Sequence, residues 1–207
     1  MNTEFARYLT EVAEPRLHLG CGANILPGWF NTDARPRTPR VCPLDVTEPF
    51  PLPDESVHRV FSEHLVEHIR YPEAVHMMRE SFRVLRPGGR LRVATPDLMF
   101  LVKLLTEPTP QRAAYLTWAT ETFIPDAPEP SPAFVVNNFV RAWHHQFIYD
   151  VPTLADLLRT AGFQDISQEA VGKSGDVALQ GLENVTRMPA GFLELETVVL
   201  EAVRPPR

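Results

Sequence analysis

The chain is poor in lysine, in cysteine and in long apolar stretches. Of its 20 basic residues only Lys103 and Lys173 are lysine, and 26 acidic residues bring the net charge to -6. A balance of that sign argues against a broad nucleic-acid footprint. The 2 cysteines, Cys21 and Cys42, form neither a CxxC pair nor a disulfide framework, so a reducing cytoplasm is the expected setting. No apolar run reaches membrane-spanning length, and the opening MNTEFARYLTEVAEP has no signal-peptide core. A soluble cytoplasmic protein is expected, with neither nucleic acid nor membrane as partner. The 207 residues, 44% hydrophobic and 22% charged, suffice for one well-buried domain.

What is present begins at Arg16–Asp33, RLHLGCGANILPGWFNTD. A short apolar run enters the turn Gly20-Cys21-Gly22, and Asp33 follows in a second strand-like run. Glycines after a strand let the backbone turn tightly and approach a ligand, and a carboxylate at a strand end can accept hydrogen bonds from a ribose. The dinucleotide fingerprint wants a third glycine where Ile25 stands, and an acidic residue about 20 positions on. Both departures disfavour a pyrophosphate. A nucleoside ligand without phosphates needs only the close backbone approach and the ribose acceptor. S-adenosylmethionine, whose adenosine carries a methionine sulfonium, fits that description.

Further along, periodicity predicts alternating elements. A short helix over 3–13 precedes strands at Arg16–Gly20, Trp29–Asp33, Arg40–Asp45 and Val57–Phe61. Only about ten residues join the first two strands, too few for a full crossover helix, so a clipped helix or single turn is expected there. Val75, Met78, Phe82 and Leu85 recur at helical spacing over Pro72–Leu85, which Arg86-Pro87-Gly88-Gly89 then stops. A strand at Arg90–Thr95 and a helix at Leu98–Leu105 follow. Residues 107–132 break the rhythm with EPTP, a helix over Gln111–Phe123, and the proline-rich IPDAPEPSP. Such an insertion is either a lid or a solvated linker. The pattern resumes with a helix at Thr153–Ala161 ended by Gly162, then strands at Phe163–Ala170 and Phe192–Val203. The alternation predicts a mostly parallel sheet with helices on both faces.

Three segments, LHLGCGANILPGWFNTD, LDVTEPFPLPDESVHRVFSEHLVEHI and EAVHMMRESFRVLRPGGRLRVATPD, resemble the class I S-adenosylmethionine-dependent methyltransferase superfamily over most of residues 16–170. GWFNTD, HLVEH and HHQFIYD are similar to a bacterial subgroup of small methyltransferases whose substrates are mostly unassigned, some members being linked to surface sugars. The resemblance implies a single α/β domain over 1–207, Rossmann-like and doubly wound, with a mostly parallel seven-stranded sheet and a lid insertion at about 107–145. It also implies S-adenosylmethionine as donor, leaving as S-adenosylhomocysteine, and a small-molecule or carbohydrate acceptor methylated on a hydroxyl or an amine. The loop from Leu19 to Asn24 would wrap the adenosyl sulfonium, with Gly20, Cys21 and Gly22 along the methionine moiety and ribose. Asp33 would hold the ribose hydroxyls, Asp45 and Val46 the adenine. Ser62 and His64 would lie at the bottom of the pocket facing the methyl donor.

Two histidine clusters carry the remaining chemistry. His145, aligned with the subgroup's histidine, is the expected general base, with His64 and the neighbouring His144 as further candidates. Histidine suits proton removal near neutral pH. The competing role for His144 and His145 is packing against Trp143 and Phe147. His64-Leu65-Val66-Glu67-His68 also matches HxxEH, which on a helix would bind zinc with Glu80 or His76 as a third ligand. A zinc hydrolase is therefore one alternative, and a non-catalytic S-adenosylmethionine-binding protein another. The methyl-transfer scheme itself needs no metal. Trp118, Phe123, Phe134 and Trp143 either wall an acceptor pocket or fold the insertion. Arg35, Arg37 and Arg40 are read as a solvated loop.

Overall fold

The computed structural model describes residues 3–207. Its strands are β1 (Arg16–Leu19), β2 (Phe30–Asp33), β3 (Cys42–Pro43), β4 (Val57–Glu63), β5 (Leu85–Pro96), β6 (Gln164–Glu169) and β7 (Thr197–Val203). Its helices are α1 (Thr3–Glu11), α2 (Tyr71–Val84), α3 (Leu98–Thr106), α4 (Pro110–Phe123), α5 (Pro132–Arg141), α6 (Val151–Ala161) and α7 (Phe192–Glu196). The strands form one seven-stranded sheet ordered β3-β2-β1-β4-β5-β7-β6. β1 to β5 pair in parallel, and β7 runs antiparallel between β5 and β6. This is the expected mostly parallel, Rossmann-like α/β sheet. Among the described residues no helix is long and apolar enough to cross a membrane, and both cysteines are free and buried.

One face of the sheet is covered by α1, α2 and α6. Phe5 of α1 meets Phe30 edge-on at 4.8 Å. Met77 and Met78 of α2 and Leu154 and Leu157 of α6 join Leu17, Val60, Leu91 and Leu200 in one buried cluster. The limits of α6 follow from its sequence: the Asp150 carboxylate accepts from the Thr153 N–H at 2.9 Å, and Gly162 ends the helix at φ 104.

The other face is clad by irregular chain instead of the expected helices. Across the sheet, in register, run Asn31, His18, Phe61, Arg92 and Glu201. All five are buried, and a row this polar offers little to the apolar stripe of a helix. The coil between β6 and α7 lies on it. Arg92 donates from Nε to Glu183 Oε1 at 2.6 Å, and from Nη1 to Glu201 Oε1 at 2.6 Å and to the Lys173 carbonyl at 2.8 Å. Leu179 and Leu182 pack beside Trp29 and Phe61.

Two further differences have local causes. The first five residues of the expected strand at Phe192–Val203 form α7. FLELE alternates like a strand, yet Gly191 at φ 85 turns the chain, and one helical turn buries Phe192, Leu193 and Glu196. β5 begins earlier than expected because Arg86-Pro87-Gly88-Gly89 keeps pairing: Gly88 N–H donates to the Arg204 carbonyl (2.8 Å) and Arg204 N–H to that of Gly89 (2.9 Å). The connection between β1 and β2 is made of turns with no helix, in keeping with the turn alternative expected there. The insertion is no solvated linker: its Tyr115 and Phe139 pack with Phe100 and Leu104 of α3 and Phe192 of α7 in a second buried cluster.

The polar row makes a prediction. His18 is 1% exposed, its Nδ1 lies 3.0 Å from Asn31 Oδ1, and burial pushes its pKa from 6.5 down to about 4. The depressed folded-state value means that protonation favours unfolding. His18 thus contributes stability that is full above its unfolded pKa and is lost as pH falls through the folded value. The span is roughly 3 kcal/mol. Urea denaturation at pH 7 and pH 4.5 should show a smaller loss for His18→Gln than for the parent; equal losses would refute this.

Candidate functional site

In an open α/β sheet, ligands bind beyond the carboxyl ends of the strands where the strand order reverses, here between β1 and β4. A cavity of about 490 Å³ opens there, lined by Gly20, Asp33, Asp45, Val46, Leu65 and Ile69 among others. Gly20 sits at φ +60, and a Cβ there would come within 2.7 Å of the Leu65 side chain. Asp33 ties the turn to β2: Oδ2 accepts from the Gly22 N–H at 3.0 Å and Oδ1 from the Arg35 N–H at 2.8 Å. Asp45 Oδ1 accepts from both the amide (2.9 Å) and hydroxyl (2.7 Å) of Thr47, and these bonds hold its carboxyl below the usual range. The Cys21 thiol is pushed up to about 11 mainly by burial, which favours its protonated form. Its N–H donates to the Thr32 carbonyl at 2.9 Å and so fixes the turn.

Several expected donor residues lie elsewhere. Leu19 and Ser62 are register partners on the helix-covered face, fully buried beneath the cavity. The Asn24 amide is spent on Glu63 Oε2 (3.1 Å) and the Leu182 carbonyl (3.0 Å), bracing the coil on the opposite face. His144 lines this first cavity. Arg35 lines it too, whereas Arg37 and Arg40 are simply exposed.

The HLVEH segment divides the site in two. His64 adopts φ 47, its N–H donates to the Ala94 carbonyl at 2.8 Å, and Val66–His68 make a single 3-10 turn. The zinc-helix expectation is thereby corrected, and its third ligands are absent: Glu80 is occupied by the Phe50 N–H and Arg83, and His76 stands on α2 away from the cavity. Leu65 and Ile69 face the first cavity, His64 and Glu67 a second of about 350 Å³, and His68 both.

Glu67 is fully buried, and burial pushes its carboxyl up to about 8. Its Oε2 accepts from Thr95 Oγ1 at 3.0 Å. Its Oε1 has no hydrogen-bond partner, lying 3.3 Å from His64 Nδ1 and 3.8 Å from His68 Nε2 without hydrogen-bond alignment. The Glu67 carbonyl accepts from the Gln146 (2.7 Å) and Phe147 (3.2 Å) amides, fastening the segment that carries the second histidine pair. His68 Nδ1 lies 2.9 Å from the Trp143 carbonyl, and His145 Nδ1 lies 2.6 Å from that of Phe139. A carbonyl only accepts, so each ring carries its proton on Nδ1 and keeps a lone pair on Nε2. The two rings meet at 4.8 Å. His64 is engaged differently, with Nε2 3.1 Å from Thr197 Oγ1.

The insertion supplies the rest of this second cavity. Tyr115, Trp118, Phe123, Phe139 and Trp143 line it; Phe134 does not. Glu196 also lines it, accepts from the Tyr115 hydroxyl, and is pushed up to about 7 chiefly by burial. Trp143 belongs to both cavities. It and His144 adopt φ 54 and φ 63, a left-handed pair of non-glycine residues that costs about 1–3 kcal/mol each. Sequence reasoning misses Leu65, Ile69 and Glu196, and singles out Glu67 only as the glutamate of the HxxEH pattern.

A family model described as a methyltransferase domain matches residues 22–93. Solved structures are similar over nearly the whole chain. An S-adenosylmethionine-dependent methyltransferase of Thermotoga maritima is 16% identical with a TM-score of 0.56, covering 97% of this chain and 89% of its own. One from Archaeoglobus fulgidus is 13% identical with a TM-score of 0.54, covering 97% and 90%. Phosphoethanolamine N-methyltransferase 2 of Haemonchus contortus, solved with S-adenosylmethionine, is 15% identical with a TM-score of 0.51, covering 99% of this chain and 53% of its own. At these identities the likeness is one of fold. No curated protein matches the sequence.

Proposed function

We propose, for this member of the class I S-adenosylmethionine-dependent methyltransferase superfamily, transfer of the sulfonium methyl group to a hydroxyl oxygen of a small ring-bearing acceptor. The observation that carries this reading is the pair of cavities meeting at His68 and Trp143. One has the glycine turn and two carboxylates suited to an adenosyl group. The other has aromatic walls and imidazole lone pairs. S-adenosylmethionine in the first cavity is held by the Gly20 turn, by Asp33 at the ribose and by Asp45, Val46 and Leu65 around the adenine.

A sulfonium is already an activated donor, so the protein's main task is to align acceptor, methyl carbon and sulfur for in-line displacement. The acceptor's O–H bond breaks, the O–CH3 bond forms, the CH3–S bond breaks, and S-adenosylhomocysteine leaves. His145 Nε2 takes the hydroxyl proton, and His64, with its Nε2 3.1 Å from Thr197 Oγ1, orients the floor. The aromatic wall suits a planar ring or the apolar face of a sugar. A second reading, an amine acceptor, is favoured by Glu67 and Glu196 beside aromatic rings, a setting that attracts cations.

Calorimetric titration with S-adenosylmethionine and S-adenosylhomocysteine tests the donor half. Asp33→Ala should weaken binding by about 10- to 100-fold, as expected for losing a carboxylate's hydrogen bonds. Absence of affinity in the parent protein would end the reading. A labelled-methyl screen of phenols, sugars and amines then identifies the acceptor. With a hydroxyl acceptor, His145→Ala should lower kcat by about 100-fold or more while donor affinity is kept.

A further inference from the structure

We propose that Glu67, His68 and His145 form a binding site for one divalent transition-metal cation on the acceptor side of the methyl-transfer centre. One ligand atom from each lies within 4.8 Å of the other two. Glu67 and His68 come from the turn after β4, and His145 from the segment after α5, held against that turn by the Glu67 carbonyl.

Three features make this more than a chance cluster. First, both imidazoles are oriented for ligation: each Nδ1 is occupied by a backbone carbonyl, at 2.9 Å and 2.6 Å, which leaves Nε2 as the coordinating atom. Outer-sphere carbonyls of this kind fix the tautomer of metal-bound histidines. Second, Glu67 is 0% exposed and lines the cavity, yet its Oε1 has no hydrogen-bond partner. A buried carboxylate oxygen without a donor is costly unless a cation meets it. Third, the distances are close to those of a closed site. Ligands with bonds of about 2.1 Å to one ion sit roughly 3–4 Å apart, and Glu67 Oε1 to His68 Nε2 is already 3.8 Å. The His145 ligand atom lies within 4.8 Å of the other two, so binding must draw it closer.

Two imidazoles and one carboxylate suit zinc, manganese or iron(II) better than magnesium or calcium, which prefer all-oxygen sites. The positive charge of Arg187, on the same cavity, opposes the ion, but Arg187 is exposed at the rim and screened by solvent, whereas Glu196 adds a second buried carboxylate. The remaining coordination positions open toward the aromatic cavity. An acceptor hydroxyl held there would be acidified by the ion. With the ion bound, the His145 Nε2 lone pair is a ligand, so the base role given to it above belongs to the metal-free protein, and the proton would pass to water. This catalytic meaning rests on the methyl-transfer reading; the site itself does not.

The test is calorimetric titration of the chelator-treated full chain with Zn2+, Mn2+ and Mg2+, with S-adenosylmethionine titrated into the same preparations. One Zn2+ or Mn2+ per chain is expected, bound at least about 10-fold more tightly than Mg2+. Glu67→Gln, which keeps the shape that meets Thr95, and His145→Ala should each lower that affinity by about 100-fold, folding being checked by circular dichroism. Absence of stoichiometric binding to the parent chain overturns the site, as does binding that survives both substitutions in folded protein. Metal binding without donor binding would leave the site standing and sink the methyl-transfer reading. Donor binding without metal binding would do the reverse.

Discussion

Arg92→Ala should lower the free energy of unfolding by about 3–5 kcal/mol, the usual cost of removing one partner from a buried ion pair. Arg92 is 0% exposed, and its two carboxylate partners, Glu183 and Glu201, are 5% and 2% exposed. Glu183 belongs to the coil and Glu201 to β7, so one guanidinium fastens irregular chain to the sheet at both ends. It also donates to the carbonyls of Ala170 (3.2 Å) and Lys173 (2.8 Å). Without it Glu201 Oε1 and Glu183 Oε1 lose their charged donor in a buried setting, although Glu183 Oε2 keeps the Gly172 N–H at 2.8 Å. Urea denaturation measures the change. The triple variant Arg92→Met, Glu183→Leu, Glu201→Leu should recover much of the loss, because exchanging a whole buried ionic group for apolar side chains is often close to neutral. A loss below about 1 kcal/mol for Arg92→Ala would mean that the coil is held by its leucines instead.

The second large effect belongs to the donor cavity. Gly20→Val should abolish measurable binding of S-adenosylmethionine, a loss of at least about 100-fold. The left-handed backbone disfavours any side chain by about 1–3 kcal/mol, and the Leu65 side chain, within 2.7 Å of the new Cβ, must move into the space for the ligand. Gly22→Ala separates the two causes. Gly22 has φ +51, and a Cβ added there would meet nothing within 4 Å. Only backbone strain is added, so the loss should be about 10-fold or less. Equal losses at the two positions, measured by calorimetry, would assign the whole effect to the backbone.

How far these features can be read from sequence depends on their range. The glycine turn, Asp33 and the α2–β5 unit are local in sequence, and their periodicity and turn chemistry are legible. The helical limits at Asp150 and Gly162 are legible for the same reason. Ser62 and Asn24 are misplaced because their surroundings are set by strand register and by a coil 158 positions away in the Asn24–Leu182 contact. Sequence spacing cannot report such partners. α7 reads as strand because FLELE satisfies a strand period, while the decisive fact, Gly191 at φ 85, is a backbone choice. In HLVEH the residue types are visible, but which side chain faces which cavity depends on the unusual φ of His64. Of the second cavity, Trp118, Phe123 and Trp143 are legible as candidate wall residues, while Tyr115, Phe139 and Glu196 join it only through the packing of α4, α5 and α7.

The indole of Trp143 has a consequence for the order of events. A single ring acts as the party wall between two rooms, and the corner that carries it is wound against its own preference. Whatever tilts the ring for one tenant alters the space left for the other. By thermodynamic reciprocity, the factor by which the donor changes the acceptor's affinity equals the factor in the opposite direction. Initial-rate plots at several fixed donor concentrations should therefore intersect away from the axes, and Trp143→Ala should draw the intersection back toward the horizontal axis.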